Sequence, residues 1–69
     1  MGKTREEIQA KVREIYDLVS ASDRPISLLR ELTRSLAAEE KWKPDDVERV
    51  SGEVMGLIIR YGGRKPTSG

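Results

Sequence analysis

The sequence predicts an all-α protein, a compact three-helix bundle with a short flexible C-terminal tail. Three observations carry that expectation. Apolar residues recur at three- and four-residue spacings in three separate segments, as on one face of an α-helix. Short polar or proline-containing stretches that look like helix caps separate those segments. No segment shows the period-two alternation of a half-buried strand.

The first helix is expected over about residues 5 to 20. Thr4-Arg5-Glu6-Glu7 fits a capping box, in which the Thr4 side chain accepts from the Glu7 amide and Glu7 reaches back to Thr4. Ile8, Val12, Ile15, Tyr16 and Val19 then form one stripe, with Ala10, Arg13 and Asp17 on the other side. The polar cluster Ser20-Ala21-Ser22-Asp23 ends it.

The second helix is expected over about residues 26 to 41. Pro25 stands at its start, and either Asp23 or Ser27 offers a cap. Leu28, Leu29, Leu32 and Leu36 fall within about 100° of one another, leaving Arg30, Glu31, Arg34 and Ala38 on the far side. The third helix is expected over about residues 44 to 61. Pro44 suits a first helical position, and Asp45 and Asp46 suit the positive end of the helix dipole. Val47, Val50, Val54, Leu57, Ile58 and Tyr61 make its main stripe. Gly62 and Gly63 are expected to stop it. Residues 1–63 thus read as one three-helix domain and residues 64–69 as a flexible basic tail.

Composition excludes several classes. The chain has 69 residues, with 13 Lys plus Arg against 12 Asp plus Glu, a net charge of +1. Its longest uncharged apolar run, residues 54–59, is far short of the ~20 residues a membrane span needs. MGKTREE carries no apolar stretch, so no secretory signal is expected, and Glu6 stands where a myristoylation site wants Ser or Thr. A cytoplasmic protein without membrane partners is the expectation. His and Cys are both absent, which removes the Ser-His and Cys-His nucleophile systems and the usual zinc sites. The adjacent pairs Glu6-Glu7, Glu39-Glu40 and Asp45-Asp46 point about 100° apart on a helix, so they do not converge on one atom. No catalytic residue, cofactor site or metal site is expected, and the chain reads as non-enzymatic.

The third helix carries the main functional signal. With Val47 set at 0°, its main stripe spans about 280° to 20°, and Ser51, Met55, Ile59, Gly52 and Gly56 continue from about 40° to 180°. Arg49, Glu53 and Arg60 hold what remains. The C-terminal half is therefore apolar over about 260°, more than one bundle needs. Gly52 and Gly56, four apart, each cost ~1 kcal/mol relative to Ala in a helix interior. One use is close approach of another backbone, either a neighbouring helix of the same chain or a second chain. Gly52, Met55, Gly56 and Ile59 are accordingly the candidate self-association residues, and a homodimer is the expected assembly. A heterologous protein helix docked in the same groove is the next form of that idea.

Other candidate contacts are weaker. Trp42, the single tryptophan, reads first as a loop aromatic capping the core. Its functional alternative is a partner anchor or a surface that stacks on a base, and the flanking lysines, whose stems can cover the ring, fit either reading. Tyr16 and Tyr61 are expected in the core with their hydroxyls at the rim. Arg30 and Arg34 lie one turn apart, and Arg60, Arg64 and Lys65 form a basic end. These support an alternative nucleic-acid reading through the second helix and the tail. A helix-turn-helix docking is disfavoured, because Asp45, Asp46, Glu48 and Glu53 would line the recognition helix and repel phosphate.

Overall fold

The computed structural model describes residues 2–61. Its element order is α1 (Arg5–Ser20), α2 (Pro25–Ala38) and α3 (Pro44–Tyr61), an all-α bundle with no strand among the described residues. Gly62 and Gly63, and the tail from Arg64 on, lie outside the described residues.

The capping box starts α1. The Glu7 amide donates to the Thr4 hydroxyl at 3.1 Å, and the Thr4 amide donates to the Glu7 carboxylate at 2.9 Å. The Thr4 backbone amide first, and then its hydroxyl, hold the Glu7 carboxyl below its ordinary value. At the other end Ser20 is buried, and its hydroxyl donates to the Asp17 carbonyl at 3.2 Å.

Both ends of α2 differ from the sequence expectation. Neither Asp23 nor Ser27 caps it. The N-cap is Arg24, which offers no side-chain cap. Proline at the first helical position keeps the preceding residue out of the helix, so Pro25 itself selects Arg24. The helix also ends at Ala38 rather than near Lys41. The turn that follows places Lys41 in the left-handed region at φ 61 and lets the Trp42 amide donate to the Leu36 carbonyl at 2.9 Å. That contact swings the Trp42 ring back onto the bundle.

The three helices run up, down and up. The Lys3 amide donates to Asp46 at 2.9 Å, joining the starts of α1 and α3. The Tyr16 and Tyr61 rings, with centroids 6.4 Å apart, meet near their ends. α1 and α3 are therefore parallel and α2 is antiparallel to both. The core is Ile8, Val12, Ile15 and Val19 from α1, Leu29 and Leu36 from α2, and Val50, Val54 and Ile58 from α3, closed by Trp42. Tyr61 is half exposed rather than a core residue: its ring meets Tyr16 of α1 but is not enclosed. Among the described residues no buried side-chain nitrogen or oxygen lacks a partner.

Candidate interaction surface

The surface of α3 is set by which of its residues the other helices occupy. Val50, Val54 and Ile58 are buried, while Val47, Ser51, Met55 and Leu57 are half-buried along the two edges of that stripe. The exposed side of its C-terminal half comprises Gly52, Glu53, Gly56, Ile59 and Arg60. Ile59 is 78% exposed, the largest exposure among the big apolar residues described.

The two glycines do not serve an intrachain crossing. A Cβ built on Gly52 or on Gly56 meets nothing within 4 Å. The reading in which α1 or α2 packs tightly against them is therefore corrected. Both notches open outward beside Ile59. Met55 departs from the sequence expectation in the other direction. It packs against the core cluster and is half covered within the chain, so it borders the exposed face rather than belonging wholly to it.

Trp42 is only 7% exposed. It closes the core as a loop aromatic, and its ring is not presented to a partner. The flanking Lys41 and Lys43 are exposed. Lys3 Nζ stands 4.8 Å from the ring centroid and Lys11 Nζ 5.9 Å, so two cations from the α1 end lie over the ring. Lys11 is held there by Glu14 at 3.3 Å and Glu40 at 3.6 Å. Asp46, read from the sequence as a dipole partner, also accepts the Lys3 amide. Gly2 makes room for that contact, since a Cβ there would stand 3.1 Å from Asp46 Oδ2. Sequence reasoning missed this strap because it joins residues 43 apart.

Arg30 and Arg34 are exposed and line a shallow groove between α2 and α3 of about 480 Å³, together with Thr33, Ala37, Val47 and Glu48. The Glu48 carboxylate shares that groove, so the face is of mixed sign. A second groove of about 800 Å³ separates α1 from α3, with Glu6, Arg13, Tyr16, Asp17, Glu53 and Leu57 among its walls. Arg60 is exposed, and Arg64 and Lys65 lie outside the described residues. Leu18 and Ile26, at 49% and 43% exposure, are further apolar surface that the stripe analysis left out.

No described helix is long and apolar enough to cross a membrane. Among the described residues no group of three acidic side chains gathers closely enough to hold a metal ion. In comparisons with family models, with curated proteins and with solved structures, nothing matches this chain.

Proposed function

We propose that this chain is a small non-enzymatic protein–protein interaction module, a cytoplasmic regulator, adaptor or accessory subunit, that self-associates through the outer face of α3. One observation carries the reading. Ile59 is 78% exposed beside two glycines whose missing side chains open onto solvent. A folded chain keeps helix-destabilising glycine and an exposed β-branched residue together at a cost, and a contact between chains offsets it. A second copy is favoured over a heterologous helix because the exposed face carries both signs of charge, Glu53 and Arg60, and so can complement itself. The test is molar mass in solution across concentrations, for the native chain and for Ile59→Glu. The expected result is a native dimer and a folded monomeric variant. A native monomer at every concentration defeats self-association.

A second reading rests on Arg30 and Arg34, both exposed on one groove. It makes the chain a nucleic-acid-binding regulator acting through α2 and the basic C-terminal end. Binding of that kind falls with salt, with a log–log slope near −0.9 per duplex phosphate neutralised. Glu48 in the same groove weighs against it. A labelled mixed-sequence duplex that shows no salt-sensitive binding at low ionic strength removes this reading.

A further inference from the structure

Resting on the self-association reading above, we propose that the two copies pack α3 against α3 antiparallel, about a two-fold axis passing at Gly56. Helix geometry and the exposed residues carry the inference. At about 1.5 Å and about 100° per residue, Gly52 lies ~6 Å before Gly56 along the axis and Ile59 ~4.5 Å after it, with all three on one side. A two-fold axis perpendicular to the helix reverses the direction of the partner. It therefore brings the partner's Ile59 to within ~1.5 Å of the level of Gly52. The exposed side chain of each copy then enters the notch of the other, twice by symmetry. Gly56 faces its own equivalent on the axis, where the absence of both side chains lets the helices approach.

Charge agrees with this placement. Glu53 and Arg60 lie ~20° apart on the same flank of α3, ~4.5 Å before and ~6 Å after Gly56. Within one chain they are two turns apart. Among the described residues neither has an ion-pair partner. The same operation keeps each flank facing its equivalent, so each Glu53 meets the partner's Arg60, again twice. The half-buried Met55 lies ~100° from Gly56 on the opposite flank, packed against its own core, and takes no part in the contact. A parallel dimer does none of this. It sets each flank against the partner's other flank, so Ile59 faces the partner's Arg60, Glu53 faces the partner's Gly52, and no Ile59 reaches a notch.

The decisive experiment reverses one charge at a time. Glu53→Arg and Arg60→Glu are exposed changes, and each variant is checked for native helicity. Each alone puts two like-charge pairs at the interface and is expected to weaken the dimer about tenfold at low salt. An equimolar mixture of the two is expected to form heterodimers near native affinity, because both pairs become opposite again. Cysteine linking gives an independent reading, since the native chain has no cysteine. Gly52→Cys mixed with Ile59→Cys should cross-link under oxidation, whereas Ile59→Cys alone should not. A mixture no tighter than its components, or efficient self-linking of Ile59→Cys, overturns the antiparallel axis while leaving self-association standing. A monomeric native chain overturns both, and that is seen before any variant is made.

Discussion

Arg24 is a poor residue with which to start a helix. Its side chain caps nothing, and its charge sits at the positive end of the α2 dipole. Arg24→Asp supplies an acceptor and reverses that charge. It should stabilise the fold by about 0.5 kcal/mol, the low end of the cap range, because ψ 70 at this residue falls short of the usual cap geometry. Chemical denaturation measures the change, and an unchanged midpoint defeats the expectation. Lys41 presents the opposite situation, a side chain where glycine belongs. Its φ of 61 costs ~1–2 kcal/mol that glycine does not incur. Lys41→Gly should therefore raise the melting temperature, by the part of that cost which exceeds glycine's larger chain entropy. A lower melting temperature would show that the turn after α2 does not need the left-handed conformation. Glu7 links the α1 cap to pH. Its carboxyl titrates below the ordinary value when folded, so the unfolded chain takes up the proton first as pH falls. The cap contribution is full above the ordinary carboxylate value and is lost as pH falls through the folded one. Glu7→Gln should flatten the acid limb of a melting-temperature profile, and identical acid limbs count against the linkage.

At the scale of the element, α3 holds two demands in opposition. Its buried stripe of Val50, Val54 and Ile58 packs within the chain, while Gly52 and Gly56 weaken the helix without relieving any intrachain crowding. Gly52→Ala and Gly56→Ala should each stabilise the isolated chain by ~0.5–1 kcal/mol, because alanine is the better helix former and finds open space. If the face is an interface, the same methyl groups obstruct it and the dimer weakens. Stability measured at low concentration and molar mass at high concentration should move in opposite directions. Loss of stability in the dilute chain would contradict the open surroundings of both glycines. The boundaries of α1 and α3 were readable from Thr4 and Pro44, whose chemistry is local. Those of α2 were only half readable. Pro25 stands at the start, yet Asp23 and Ser27 offer better caps than the Arg24 that holds the position, and nothing local between Ala38 and Lys41 announces a stop. The break follows from Trp42 reaching the core, a demand of packing and not of propensity.

The whole molecule is a small bundle whose core is closed at one end by Trp42 beneath Lys3 and Lys11. A chain of this size with no disulfide has little core to spare. Association should therefore add visibly to its stability. Its melting temperature should rise with protein concentration in the native chain and stay constant in Ile59→Glu, as mass action requires when only the folded form dimerises. A concentration-independent native melt would count against the dimer. Fold class followed from patterning alone, because three apolar stripes at helical spacing leave a short chain few ways to bury them. The same patterning made the apolar arc of α3 legible, and with it Gly52, Gly56 and Ile59. It could not separate Met55 from Ile59, since both lie past the main stripe and only the position of the neighbouring helices distinguishes a covered residue from an open one. Nor could it say that the glycine notches face outward or that Lys3 reaches Asp46. Those outcomes depend on contacts between residues far apart in the chain, where no local propensity acts.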